Sequence, residues 1–309
     1  MTIFVTGASG LVGSAFVLAA VRRGHTVVGT VGSYAGVVEG LSAKRQVDLS
    51  NDMATTSAVL DFFPQAIVNC AAISVPEQCD SNPALAQALN VNLPATLARL
   101  AHHVSARLVH LSSEQVFDGT RPKPYSTEDV VAPINLYGRQ KLESERAVHA
   151  AAPQAITIRA PLLLGNSLTG QRSQHERLLS DWSTGRTPSL FIDEFRQPCT
   201  AGNLAEVMVE LCERDDLHGV FHWAGAELTS RHALGVRIRD HFKLTENQAP
   251  ITAVSRASKP EVVRKRQACL ALDISPLAGK LKTRPLTIAA QLDELNIPVP
   301  VRAWYLALR

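Results

Sequence analysis

The chain lacks a dominant charge: 31 basic residues against 28 acidic ones leave a formal +3, too balanced to mark a nucleic-acid or membrane-surface protein. It also lacks a cysteine framework. Cys70, Cys79, Cys199, Cys212 and Cys269 form no C-x-x-C pair and no even-numbered set, which excludes a disulfide scaffold and points to a reducing compartment. No apolar run reaches the roughly 20 residues of a membrane span, and the stretch from Leu11 to Val21 is interrupted by Gly13 and Ser14. The first residues, Met1-Thr2-Ile3-Phe4-Val5-Thr6-Gly7, place a turn glycine where an export signal would carry basic residues and then an apolar run. The expected location is therefore cytoplasmic. Internal repeats and low-complexity tracts are absent. The ten histidines contain no H-E-x-x-H pattern, and Gly32-Ser33-Tyr34-Ala35-Gly36 is not G-x-S-x-G, so neither a catalytic metal nor a serine-hydrolase site is expected.

What is present is an apolar fraction of 46% in 309 residues, enough for one large or two intimately packed domains. Short β-branched runs alternate with helical patterns: Thr2 to Thr6 then Leu11 to Arg23, Thr26 to Thr30, Arg45 to Asp48 then Met53 to Phe63, and Ala66 to Asn69 then Pro83 to His103. Arg107 to Ser112, a helix from Tyr137 to His149 and Ala155 to Arg159 complete the series. Apolar strands alternating with helices predict a parallel sheet covered on both faces. Residues 1–165 are expected to form this unit. Residues 166–309, with helical patterns near Ser173 to Thr184, Asn203 to Arg214 and Arg231 to Phe242, would be mainly a smaller α/β domain with segments returning to the sheet.

Between the first strand and first helix lies Thr6-Gly7-Ala8-Ser9-Gly10-Leu11-Val12-Gly13, where a dinucleotide pyrophosphate would meet helix N-terminal N–H groups. Gly7 would permit the tight turn, Gly10 the approach of backbone to phosphate, and Gly13 close packing of helix on strand. This turn resembles the Thr-Gly-x-x-Gly-x-x-Gly fingerprint of the short-chain dehydrogenase/reductase superfamily. The resemblance implies an NAD(P)-binding Rossmann fold, a doubly wound parallel sheet with a smaller C-terminal α/β substrate-binding domain. It also implies that Ser9, Leu11 and Val12 in the turn, Asp48 and Leu49 after the third strand, Cys70, Ala71 and Ala72 after the fourth, and Asn92 line the cofactor.

Thr30 to Val38 holds neither an acid for a ribose 2′-hydroxyl nor an arginine for a 2′-phosphate. Without a carboxylate to repel phosphate, NADP(H) is favoured over NAD(H), with Ser33, Lys44 or Arg45 as contacts. Asp48 has a second reading, as a cap of the next turn.

Tyr137-Gly138-Arg139-Gln140-Lys141 sets a phenol and an ammonium four residues apart, on one face of a helix. Of the four tyrosines only Tyr137 has this partner. Positive charge beside the phenol, from Lys141 and an oxidised nicotinamide ring, is expected to lower its pKa from about 10. A hydroxyl at the end of the fifth strand should complete the set, and Ser112 and Ser113 are both available. The run Ser112-Ser113-Glu114-Gln115-Val116-Phe117-Asp118-Gly119, with Pro124-Tyr125 and Pro133-Ile134-Asn135-Leu136-Tyr137-Gly138, resembles the dTDP-4-dehydrorhamnose reductase family within the extended branch of the superfamily. That resemblance selects Ser113, with Tyr137 and Lys141, as catalytic, and gives Tyr137 and Lys141 cofactor contacts too.

The implied reaction is reduction of a keto group on a nucleotide-linked sugar. Related dehydratases carry Thr-Asp-Glu where Ser113-Glu114-Gln115 stands, and a glutamine cannot take a proton from carbon, so elimination of water is disfavoured. An epimerase and a non-catalytic NADP-binding regulatory subunit are the alternatives. Phe191-Ile192-Asp193-Glu194-Phe195-Arg196-Gln197-Pro198 and Gly219-Val220-Phe221-His222-Trp223-Ala224-Gly225 extend the family resemblance into the second half. The chain departs from the family at Gln115 and Leu162, where aromatics are usual, so sugar or nucleotide can differ. Glu114, Gln115, Leu162, Arg196 and Arg264 are the expected substrate contacts, Arg264-Lys265-Arg266 as a diphosphate partner or alternatively a solvated loop. The expected partner is a small molecule, with neither nucleic acid nor membrane, and a homodimer is compatible.

Overall fold

The computed structural model describes residues 1–309. Seven strands, β1 (Thr2–Thr6), β2 (Thr26–Val31), β3 (Ala43–Gln46), β4 (Ala66–Asn69), β5 (Arg107–Ser113), β6 (Ile156–Ala160) and β7 (Gly219–His222), form one sheet in the order β7-β6-β5-β4-β1-β2-β3. Every neighbouring pair is parallel, and Phe4 at the centre is flanked by Val28 and Ile67. The order reverses beside β1, and in such sheets the carboxyl ends of the strands open a crevice at that point.

Both faces are covered, which is why the inner strands are apolar throughout. Helices Leu11–Arg22 and Ala201–Cys212 pack one face through Phe16, Val17, Leu204 and Met208. Helices Asp52–Leu60, Leu93–His103 and Leu136–Ala151 cover the other through Val59, Leu97 and Val148 against Phe4, Ile67 and Leu108. Full burial of side chains such as Phe16 and Leu97 contributes about 2 kcal/mol each. No helix is long and apolar enough to cross a membrane.

A smaller lobe has its own core, built from Leu178, Trp182, Leu234, Ile238, Phe242, Ile288 and Leu292 on helices Gln174–Ser183, Arg231–His241 and Ile288–Asp293 and the loops between them. Its short strand Phe195–Arg196 lies between Thr229–Ser230 and Cys269–Leu270. Segments from beyond residue 166 also enter the large sheet, since β7 lies beside β6 and Ala201–Cys212 packs on Leu11–Arg22.

Two elements differ from the pattern reading. The third strand occupies Ala43–Gln46, two residues before the expected run, because this edge exposes Lys44, Arg45 and Gln46 and has no alternating apolar face to set its limits. The helix expected from Pro83 to His103 is instead three segments, Pro83–Gln87, a π turn at Ala88–Asn92, and Leu93–His103. Pro94 has no N–H for the helical ladder, and the fully buried Asn90 amide binds both backbone groups of Ile73 and the Gln140 side chain.

Candidate active site

At the carboxyl ends of the strands, between sheet and small lobe, lies a cleft of about 1010 Å³. Its sheet side begins at the glycine turn. Gly7 adopts a left-handed φ of 66°, and a Cβ there would stand 3.0 Å from the Ala71 backbone. Gly10 lines the cleft with Leu11 and Val12. A Cβ on Gly13 would collide with the Gly7 carbonyl, so the helix rests directly on the turn. The helix begins after Gly10 with no side-chain cap and no acid in its first turn, leaving its N–H groups for an anion. This cradle fits a dinucleotide pyrophosphate. Cys70, Ala71 and Ala72 continue the wall.

Ser113, Tyr137 and Lys141 line the same cleft. Strand alternation separates the two serines: Ser112 donates to Glu145 Oε1 beneath the sheet, while Ser113 lies against the Tyr137 phenol. Asn135 caps the Tyr137 helix by accepting from Gly138 N at 2.8 Å, and its amide donates to Gln115 Oε1 at 2.9 Å. A Cβ on Gly138 would collide with the Gln115 carbonyl, so the bare glycine lets this helix close on the Ser113 loop. Gln267 of the small lobe, 2% exposed, donates to the Phe117 carbonyl at 3.3 Å and braces that loop from the far side.

The electrostatics differ from expectation in one respect. Tyr137 is 6% exposed, and burial pushes its phenol up; Ser113 opposes this, and Lys141 is not among the groups that move it. Lys141 Nζ donates to the Leu111 carbonyl at 2.6 Å. Burial lowers Lys141 to about 8, and Glu145, one turn along the helix, opposes that fall. Cys70 is pushed up to about 12 by burial and carries a neutral thiol.

Of the expected substrate contacts, Glu114, Gln115, Leu162 and Arg196 line the cleft. Burial raises Glu114 to about 8 against the pull of Arg196, whose Nε lies 3.3 Å from Glu114 Oε1. Arg264 does not line the cleft; Lys265 and Arg266, next to it, do. Nor do Ser9, Asp48, Leu49 and Asn92. Ser9 is buried in the turn, and Asp48 accepts from Ser50 N at 3.0 Å and from its hydroxyl at 2.6 Å, the turn-capping reading. Leu49 packs against the apolar cluster below the sheet, and Asn92 faces solvent at the end of the π turn. Lys44 donates to the Ala35 and Gly36 carbonyls, leaving Ser33 just after β2 and Arg45 exposed on β3. Sequence reasoning gave no role to Gly138, Gln267 or Arg231. The first lies in plain view inside the Tyr-Gly motif, whereas Gln267, from a remote loop, and Arg231, at the start of a remote helix, carry no local signal.

This sheet, glycine turn and cleft define an extended short-chain dehydrogenase/reductase-type protein with a Rossmann-like dinucleotide fold. A family model described as "RmlD substrate binding domain" matches residues 1–294, and the chain belongs to that family. It is 30% identical over 300 residues to the "Probable low-salt glycan biosynthesis reductase Agl14" of Haloferax volcanii, covering 96% of this chain and 97% of that one. It is 32% identical over 282 residues to "Methionine adenosyltransferase 2 subunit beta" of Bos taurus, covering 89% and 81%. Among solved structures, the dTDP-4-dehydrorhamnose reductase of Bacillus anthracis in complex with NADP superposes with a TM-score of 0.80 at 20% identity, over 94% of this chain and 97% of that one. The last likeness is one of fold.

Proposed function

We propose that the chain is an NAD(P)H-dependent reductase of a keto group on a nucleotide-linked sugar. The observation that carries this reading is the convergence of Ser113, Tyr137 and Lys141 in the cleft that the uncapped glycine turn opens. A bound nicotinamide dinucleotide would supply the hydride. Gly7, Gly10 and Gly13 with the N–H groups after Gly10 would hold its pyrophosphate, and Lys141, positively charged below about pH 8, would hold a ribose hydroxyl. Burial keeps the Tyr137 proton in place at neutral pH, so the phenol donates it to the carbonyl oxygen as negative charge develops there. Ser113 hydrogen-bonds the same oxygen. General acid catalysis of this kind contributes roughly 10²- to 10⁴-fold. The small lobe, mainly residues 166–309, supplies the sugar side through Arg196 and its neighbours.

The test is NADPH oxidation with a panel of nucleotide-linked 4-keto sugars, wild type against Tyr137→Phe. Equal oxidation by both refutes the catalytic role. NADPH is expected to bind more tightly than NADH, in line with the missing acid after β2 and with the NADP of the Bacillus anthracis reductase. A tenfold preference for NADH reverses that part. The similarity to a protein named as an adenosyltransferase subunit favours one second reading, a regulatory subunit. Tight NADP binding without oxidation of any keto sugar would support it.

A further inference from the structure

The small-lobe wall beside Glu114 has an unusual charge arrangement. Arg231 opens the helix Arg231–His241, and its side chain lines the cleft with only 15% exposure. Its nearest carboxylate is Glu194 Oε1 at 3.9 Å, and no protein group accepts a hydrogen bond from its guanidinium. Glu194 is already committed: Arg266 donates to it at 2.9 and 3.1 Å, and Arg196 lies 3.3 Å away. The other carboxyl here, Glu114, is 3% exposed, and its Oε2 has no hydrogen-bond partner. Glu114 faces Arg196, Arg231, Glu194, the Leu162 backbone and the Tyr137 phenol, and burial, opposed first by the two arginines, holds it near 8. Near neutral pH, Arg196 and Arg231 therefore have essentially one ionised carboxylate, Glu194, which they share with Arg266, and Arg266 has Glu77 at 3.9 Å besides.

A guanidinium drawn largely out of bulk water with no hydrogen-bond partner is costly, and burial lowers even Arg231, to about 10. The group that would satisfy it is an anion. Glu114, in its protonated form, offers a second donor to the same acceptor. The location decides which anion. Glu114 follows Ser113 in the chain and acts on the Tyr137 phenol, where the sugar ring would react, and Arg231 acts on Glu114 from the small-lobe wall of the same cleft. We propose that Arg231 and Glu114 form a carboxylate subsite, so that the substrate is a keto sugar bearing a ring carboxylate, of the uronate type. This rests on the sugar-nucleotide reading above and narrows it.

Titration calorimetry on the NADP-loaded protein compares UDP-glucuronate with UDP-glucose, the dTDP pair, and UDP and dTDP alone. A charge-assisted contact predicts the acid of at least one pair to bind about tenfold more tightly than its neutral partner. Arg231→Gln should reduce that preference to within about threefold, and Arg231→Lys should restore much of it. In wild type the preference should weaken as pH rises through about 8, and Glu114→Gln should remove that dependence. Neutral and acidic sugars binding alike would overturn the subsite and leave the sugar-nucleotide reading standing. So would an Arg231→Gln loss as large for the nucleoside diphosphates alone, which would assign the guanidinium to phosphate. No binding by any probe would refute both readings. An acid preference abolished by Arg231→Gln, with no NADPH oxidation by any keto uronate, would support the subsite and refute the reductase.

Discussion

Replacing Glu145 by glutamine tests the frame that holds the helix carrying Tyr137 and Lys141. Glu145 lies one turn beyond Lys141, with its side chain 5% exposed, and accepts from Arg159 Nε at 3.0 Å and Nη2 at 2.8 Å. Ser112 donates to the same carboxylate, so the residue ties the Tyr137 helix to β5 and β6 together. Losing one partner of a buried pair costs about 3 to 5 kcal/mol, because the other charge stays buried. Glutamine can still accept one of these bonds, and the Phe117 ring, 5.1 Å from the Arg159 guanidinium, offsets a further part. The expected loss is therefore about 2 to 3 kcal/mol, read from urea unfolding followed by tryptophan fluorescence. The double variant Glu145→Leu/Arg159→Met should lose far less than the two single changes added together, since it leaves no orphaned charge. A Glu145→Gln loss below about 1 kcal/mol, or simple additivity in the cycle, would refute the reasoning.

Gly138→Ala forces the helix and the Gln115 carbonyl apart by about 1 Å to reach a normal C···O contact, which should cost turnover on the order of 10²-fold. Its melting temperature should move only a few degrees, because alanine regains about 1 kcal/mol of helix preference; unchanged turnover would count against the contact. Glu114, raised from 4.5 to about 8, contributes stability that is fully present below 4.5 and is lost as pH rises through 8. Unfolding measured between those limits should show a decline on the order of 3 kcal/mol that Glu114→Gln removes. Gly10→Val places a side chain where the backbone lines the cleft, and should weaken NADP binding on the order of 10²-fold with little change in melting temperature. Unaltered affinity would move the pyrophosphate elsewhere.

The parts legible from sequence are those in which chemistry is local. β1 and β4 were readable to the residue because buried strands of a parallel sheet must be apolar on both faces, as Ile3-Phe4-Val5 and Ala66-Ile67-Val68 are. The edge strand was misplaced by two residues because exposed Lys44 and Arg45 meet no such demand. Tyr137 and Lys141 could be paired because four residues is one helical turn, whereas local chemistry left Ser112 and Ser113 equivalent: the family resemblance selects Ser113, and the fold separates the two by setting Glu145 on the Ser112 side of the strand. The π turn had no sequence signature, since it depends on what the buried Asn90 amide finds across the loop at Ile73. Arg231 belongs to the same class: a helix-opening arginine is ordinary until the fold brings it against Glu194 and Glu114.

The Tyr137–Lys141 pair shows where spacing misleads about energetics. Four residues of separation suggested that the ammonium would pull the phenol towards ionisation. The fold sends Lys141 Nζ to the Leu111 carbonyl and encloses Tyr137, and desolvation of a phenolate outweighs the hydrogen bond from Ser113. A phenol in that state keeps its proton at neutral pH, ready for the donation that the proposed carbonyl reduction needs. Oxidation of an alcohol would require added positive charge beside the ring, and an oxidised nicotinamide carries one. On the proposed reading the phenol is therefore protonated before a carbonyl arrives, and the charge of the bound cofactor decides whether it can give up that proton beforehand and serve as a base in the reverse direction.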